Sequence, residues 1–271
     1  MRAEIRALPA GGAHAHLAWS TAPFRGSMRG MRALVLVLFA LLSLCQLAFA
    51  EPLRDGPYLM ATGDGQWTAQ WVEGDETDLK VKQQPVRTGQ SISVPAVGEL
   101  PEFTVRIRKP DATAPDAIAV SASTPLFVVA DSHGQYEHFA QLLQNNGVID
   151  QSLRWSFRKG HVAILGDVFD RGPNQTEILW LIYKLEEEAA KAGGGVHFVL
   201  GNHEFMVLSG DLRYLHPKYS KVAAALQAPS YTALWSEQTL LGQWLRTQAS
   251  VIKLGDYLCL HGGISPAVTR S

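Results

Sequence analysis

The stretch His161-Val162-Ala163-Ile164-Leu165-Gly166-Asp167-Val168-Phe169-Asp170-Arg171-Gly172 decides the fold. Its first five residues form a short apolar run of the kind expected for a strand buried on both faces. The run stops at Gly166, and two aspartates and an arginine follow between glycines, a composition that turns the chain instead of extending it. Beyond it, Ile178, Leu181, Ile182 and Leu185 recur at helical spacing. Asn174 and Glu177 have the spacing of a capping box, and Glu186-Glu187-Glu188 reads as the solvated end of that helix. Strand, polar turn and helix in succession make the repeating unit of a layered α/β fold.

The unit recurs on either side. Leu126-Phe127-Val128-Val129-Ala130 leads into Asp131-Ser132-His133-Gly134, with Tyr136, Phe139, Leu142 and Leu143 at helical spacing after it. Val196-His197-Phe198-Val199-Leu200 leads into Gly201-Asn202-His203-Glu204, and Tyr257-Leu258-Cys259-Leu260 into His261-Gly262-Gly263. Ligands of open α/β sheets bind beyond the carboxyl ends of the strands. Four strand ends therefore bring Asp131, His133, Asp167, Asn202, His203 and His261 to one rim. Carboxylate, amide and imidazole ligands without thiolate suit a pair of divalent ions, with one carboxylate able to bridge them. Such a pair polarises a phosphoryl oxygen and activates a shared water as nucleophile. Arg171 is suited to bidentate recognition of phosphate oxygens. His203, held in tautomer by Asp170, is placed to protonate a leaving oxygen.

Asp-x-His alone arises by chance in about one chain in four of this length. Gly-Asp-x-x-Asp-Arg-Gly fixes five positions and is expected in roughly one chain in several thousand. With Gly-Asn-His-Glu following in order, each behind a strand pattern, the joint signal is strong.

These blocks resemble those of the calcineurin-like metallophosphoesterases, in their phosphoprotein phosphatase branch. The continuation Glu204 to Tyr214, with Gly210-Asp211-Leu212-Arg213-Tyr214, is similar to the Shewanella-like phosphatases. The resemblance covers about 122–266. It implies one metal on Asp131, His133 and Asp167 and a second on Asp167, Asn202 and His261, with Asp167 bridging. It implies phosphate and acid roles for Arg171 and His203, with Arg213 as a further phosphate contact. The metals it implies are two divalent ions, manganese, iron or zinc. The implied substrate is a phosphorylated protein or a small phosphomonoester. A phosphodiesterase or nucleotide phosphatase on the same scaffold, or a non-catalytic metal-binding protein, are the alternatives. The family's further histidine, in a Gly-His loop after His-Gly-Gly, has no counterpart after His261, so the expectation is a phosphoesterase domain incomplete at its C-terminal side.

Residues 51–121 read differently. Trp67-Thr68-Ala69-Gln70-Trp71 and Phe103-Thr104-Val105-Arg106-Ile107 alternate at period two, and Gly63-Asp64-Gly65, Gly74-Asp75 and Gly89 punctuate them as turns. The expectation is a small antiparallel β domain over 51–121, with Arg106 and Arg108 on a solvated strand face. Lys109 to Asp116 forms a linker, and the phosphoesterase domain spans 122–271.

Met28 to Arg32 is basic, Ala33 to Ala50 is uncharged, and the stretch ends Ala48-Phe49-Ala50. That is the layout of a secretory signal with a small-residue cleavage site, within an extension over 1–50. It places translation start at Met28 or Met31 and the mature protein in the periplasm, with an uncleaved anchor as the alternative. Membrane contact is expected only through this segment. The whole chain has 271 residues, 46% hydrophobic and 18% charged, with a net charge of −1. That composition is globular, and the charge gives no support to a nucleic-acid-binding surface, so no nucleic-acid partner is expected. Two cysteines, Cys45 and Cys259, exclude a disulfide scaffold.

Other residues have plainer readings. His161 and His197 lie within strands and are expected in the core or at an edge, with His138 and His216 at the surface. Trp180 is expected to pack, and Cys259 to be a buried structural thiol. Tyr231 to Arg246 is either a helical lid or ordinary packing.

Overall fold

A computed structural model describes residues 52–75, 77–109 and 117–267. The export signal, the start codons and the linker residues 110–116 lie outside the described residues.

Strands β1 (Leu53–Gly63), β2 (Gln66–Asp75) and β3 (Asp78–Arg87) form an antiparallel meander, and β4 (Ser91–Val94) pairs antiparallel with β5 (Phe103–Arg106). Gly65, at φ +65°, makes the turn from β1 into β2, in a conformation that glycine adopts without strain. In β5, Phe103 and Val105 are buried while Thr104 and Arg106 are exposed, so period two sorts the faces as expected.

Strands β6 (Ala117–Ile118), β7 (Leu126–Val129), β8 (His161–Ile164) and β9 (Gly195–Phe198) follow, with helix α1 (Tyr136–Asn145) after β7 and α2 (Gln175–Ala192) after β8. β7, β8 and β9 pair in parallel, because helical crossovers return the chain to the same end of the sheet. Their register sets Val129 beside Ile164 and Ile164 beside Phe198, so all three strands finish level. This register carries the first three motifs to one rim.

The remaining elements are α3 (Asn202–Ser209), α4 (Pro217–Ala225), a 3-10 turn (Tyr231–Trp235), α5 (Leu240–Leu245), β10 (Val251–Leu254) and β11 (Tyr257–Leu260). The expected fourth strand belongs to a different sheet. β11 pairs antiparallel with β10, which pairs in parallel with β6. The short Gly255-Asp256 turn permits only a hairpin, since a parallel pair needs a longer crossover. Ala163, Val199, Ile252, Leu254 and Cys259 pack between the two sheets, and this layer brings His261 to the rim. β7 is not buried on both faces as expected, for Val128 is 49% exposed. β7 is the edge of its sheet, and the second sheet packs over Ala163 and Val199 instead.

The four apolar residues expected on the inner face of α2 are buried, but so are Leu179, Trp180 and Tyr183. The antiparallel β region covers the outer side of this helix, where Trp180 Nε1 donates to the Pro57 carbonyl at 2.9 Å. Residues 51–271 form one compact unit, and one apolar cluster runs from Trp67 and Phe103 through Trp180 to Leu240 and Trp244. Three local expectations change as a result. Arg108 does not sit on a solvated face: its backbone N–H donates to Tyr183 Oη at 2.8 Å, its guanidinium lies 4.1 Å from the Tyr183 ring, and Nη2 reaches Glu186 at 3.2 Å. Glu186-Glu187-Glu188 is not a free solvated end, since Glu186 also accepts from Trp244 Nε1 at 3.0 Å, Glu187 pairs with Lys191 at 2.6 Å, and Glu188 accepts from Trp155 N–H at 2.9 Å. Asn174 is the N-cap of α2 but makes no side-chain capping bond, and Glu177 turns inward, 1% exposed.

Tyr231, Leu234, Trp235, Leu241 and Trp244 are buried, so the segment after α4 packs. Trp180 and Cys259 are buried as expected. His161 and His197 stack on each other with Nδ1 and Nε2 2.8 Å apart, and burial with the neighbouring imidazole lowers His197 to about 4. His216 caps α4 through Nδ1. Among the described residues no helix is long and apolar enough to cross a membrane.

Candidate metal and phosphate site

The loops at the strand ends hold an unusual backbone. Asp131, His133, Asp167, Asp170 and Arg171 have φ of 55°, 41°, 56°, 71° and 65°, in the left-handed region. Each such non-glycine residue costs about 1–2 kcal/mol and persists only where its surroundings hold it. Here the first two loops are laddered together: Asp131 N–H donates to Gly166 O at 3.1 Å, His133 N–H to Asp167 O at 2.9 Å and Gly134 N–H to Val168 O at 2.9 Å. The approach is so close that a Cβ on Gly134 would lie 2.6 Å from the Gly172 carbonyl oxygen, which explains the glycines in both motifs. Glu204, fully buried, ties the second loop to the third. Its Oε2 accepts from Asp167 N–H at 2.8 Å and Gly201 N–H at 2.7 Å, and Oε1 from Val168 at 2.8 Å and Phe169 at 3.3 Å. Burial pushes its carboxyl up, and the four N–H groups oppose that shift.

Three imidazoles converge on Asp167. Nδ1 of His133 lies 2.8 Å from Phe169 O and Nδ1 of His261 lies 2.6 Å from Leu165 O. A carbonyl only accepts, so each Nδ1 carries its hydrogen and each Nε2, the nitrogen left for a metal, turns inward. Those Nε2 atoms stand 3.8 and 3.3 Å from Asp167 Oδ2. Nδ1 of His203 bonds Asp170 Oδ2 at 2.6 Å, and its Nε2 is also 3.8 Å from Asp167 Oδ2. Asn202 Oδ1 lies 3.0 Å from His261 Nε2. Donor atoms gathered this closely need a proton or a cation among them, and carboxylate, amide and imidazole together are a donor set for divalent ions. Orienting each ring through its far nitrogen is the usual support of a metal ligand. The residues therefore fit divalent metal binding.

Donor atoms of His133, Asp167 and His203 lie within 4.8 Å of one another, as do those of Asp131, Asp167 and His261. Asp167 belongs to both groups, the position expected of a bridging carboxylate. Asp131 stands with His261, whereas the resemblance set it beside His133, and His203 Nε2 joins the His133 group.

Asp170 is fully buried, and burial raises its carboxyl while the His203 hydrogen bond lowers it. Arg171 is anchored by its backbone N–H on Tyr214 O at 2.9 Å, and its guanidinium carbon lies 6.0 Å from the Tyr214 ring. Arg213 is engaged by Asp211 through Nε at 2.9 and 3.1 Å and Nη2 at 2.7 Å, which turns its guanidinium to that carboxylate. Tyr214, 48% exposed, lies 5.4 Å from the His203 ring, and Phe205, two residues after His203 in the chain, is 52% exposed. Sequence reasoning quoted Glu204, Phe205 and Tyr214 within motifs without giving them work. Gln175, whose Oε1 accepts from Asp170 N–H at 2.6 Å, carried no signal at all.

A family model of the calcineurin-like phosphoesterases matches residues 124–271. Shewanella-like protein phosphatase 2 of Arabidopsis thaliana is 34% identical over 125 residues, 46% of this chain and 30% of that protein. A symmetrical bis(5'-nucleosyl)-tetraphosphatase of Wigglesworthia glossinidia brevipalpis is 28% identical over 144 residues, 52% of this chain and 45% of the relative. The chain thus spans less than half the length of these curated relatives. The crystal structure of a cold-active protein-tyrosine phosphatase from a psychrophilic Shewanella species matches with a TM-score of 0.71 and 37% identity, over 80% of this chain and 64% of that one. That share exceeds what residues 124–271 supply, so the likeness reaches into the antiparallel β region.

Proposed function

The chain belongs to the calcineurin-like phosphoesterase family, and on that premise we propose that it hydrolyses phosphate monoesters in a metal-dependent reaction, with phosphorylated protein side chains as one substrate class. The observation that carries this reading is the convergence of three oriented imidazoles on Asp167 Oδ2. Asp131, His133, Asp167, Asn202 and His261 would hold two divalent ions, with Asp167 shared and manganese the first ion to try. When bound, such a pair supplies Lewis acidity at the phosphoryl oxygen and lowers the pKa of water.

The chain's own residues do the rest. Arg171, exposed at the mouth and anchored on Tyr214 O, binds the phosphate oxygens. Water attacks phosphorus as the bond to the leaving oxygen breaks, and His203 in its protonated form gives that oxygen its proton from Nε2. Asp170 orients the ring and stabilises the imidazolium, with both groups screened from water. The leader-like segment over 28–50 supports action outside the cytoplasm, in the periplasm. The tetraphosphatase among the relatives keeps a nucleotide substrate as the second reading. The test is turnover by the full chain, with Mn²⁺, of phenyl phosphate, a phosphotyrosyl peptide, a bis-aryl diester and a dinucleoside tetraphosphate. Monoester and peptide turnover exceeding the other two supports the proposal. Preferential cleavage of the diester or the tetraphosphate overturns it in favour of the second reading.

A further inference from the structure

Asp170 and Arg171 sit in a loop whose backbone has left-handed φ at two consecutive non-glycine residues, so side chains elsewhere must hold it. Two of its anchors are side-chain contacts, one buried and one half-buried. Asp170 N–H donates to Gln175 Oε1 at 2.6 Å, and the Pro173 carbonyl accepts from Lys218 Nζ at 2.7 Å and Tyr219 Oη at 2.8 Å. Gln175 is positioned in turn, because its N–H donates to Tyr219 Oη at 2.8 Å and its Nε2 donates to Tyr231 Oη.

Two carboxylates hold Lys218 in place, and one of them comes from the antiparallel sheet. Asp55 of β1 is fully buried, with Oδ1 3.6 Å from Lys218 Nζ. Oδ1 also accepts from Gly56 N–H at 2.9 Å, and Oδ2 accepts from Tyr58 Oη at 2.9 Å. Tyr58 Oη lies 3.1 Å from Thr176 Oγ1, next in the chain to Gln175. Glu177 Oε1, 3.7 Å from Lys218 Nζ, completes the group. A buried ion pair of this kind is weak evidence for stability, since apolar residues of similar volume often serve as well. Its geometry here leads to one place, the loop that carries the leaving-group dyad.

We propose that the antiparallel β region is part of the catalytic apparatus, with Asp55 a positioning residue that acts through Lys218 and Tyr58 to set the Asp170–His203 pair. The proposal rests on the phosphatase reading for its kinetic form only. A misplaced Asp170 impairs proton delivery to the leaving oxygen, whereas Arg171, in the same loop, keeps its separate anchor on Tyr214 O, so phosphate binding suffers less. Loss of Asp55 therefore falls on kcat, and hardest on substrates whose leaving group needs the proton.

The experiment compares the full chain with Asp55→Asn, which keeps shape and removes charge, using phenyl phosphate and 2,4-dinitrophenyl phosphate. The expected result is a fall in kcat of about tenfold or more on phenyl phosphate, as a small misplacement produces, with a smaller fall on the dinitrophenyl ester and a change in KM smaller than that in kcat. Equal losses on both esters, or no loss, overturn the proposal. Tyr219→Phe, which deletes one hydroxyl from the same path, serves with the same expectations if Asp55→Asn does not fold. A readout independent of turnover is the low-field proton signal of His203 Nδ1–H, identified by its absence in His203→Gln. It should shift or broaden in Asp55→Asn, and an unmoved signal overturns the proposal. An inactive wild type with a shifted signal removes the phosphatase reading and leaves the positioning role standing.

Discussion

Glu204 accepts four backbone N–H groups from two loops while wholly shielded from water, and among the described residues no other side chain bonds those donors. Glu204→Gln replaces one carboxylate oxygen with an NH₂ that faces two of those donors. The substitution should destabilise the protein by about 2–4 kcal/mol, the scale of two buried donors left without acceptors, measured by denaturant unfolding. It should also raise the Mn²⁺ concentration for half-maximal activity, because Asp167 sits on the disturbed backbone. An unchanged denaturation midpoint would contradict this account of the loop. The ligand-type residues were legible in sequence because each follows a strand, where position alone predicts the rim. The work of Glu204 was not legible, since its donors Asp167, Val168 and Phe169 come from a loop more than thirty residues earlier in the chain. Arg213 shows the converse limit: its residue type suits phosphate, and its pairing with Asp211 two residues away was not read from the sequence.

Helix α2 was legible as an element, with its boundaries near those implied by Ile178 to Leu185. Its environment was not, because periodicity marks the face that must be buried and says nothing of what covers the other. With β1 and β5 over it, Glu177 has moved from an expected cap to the interior. Burial pushes its carboxyl from the ordinary 4.5 up to about 7, with Lys218 opposing and Asp55 adding to the shift. A carboxyl raised in the folded state contributes stability below its unfolded pKa and loses it as pH rises through the folded one. Wild type and Glu177→Gln, which mimics the protonated acid, should therefore have similar stability at pH 5. At pH 8 the variant should be more stable by roughly 1–3 kcal/mol. Equal stability at both pH values would contradict the inward placement of this carboxyl.

At the scale of the molecule, the layered α/β order and the antiparallel region before it were both readable from a change of period near residue 125. Two features were not. Strand composition does not name a strand's partner, so β11 was legible as a strand ending at the rim, while its hairpin with β10 in a second sheet was not. Nor does a turn-rich, alternating segment announce that its core will merge with the next one, as Trp67 and Phe103 do with Trp180. Through that merger the β region reaches the loop of Asp170 and Arg171, and two sheets converge on Asp167. The central claim is that Asp167 joins two cation sites in a phosphoesterase. Hydrolysis of 4-nitrophenyl phosphate by the full chain, titrated with Mn²⁺ and compared with Asp167→Asn, tests it most directly. Turnover should require the metal and be lost in the variant. Metal-independent turnover, or a folded Asp167→Asn protein as active as wild type, would contradict it.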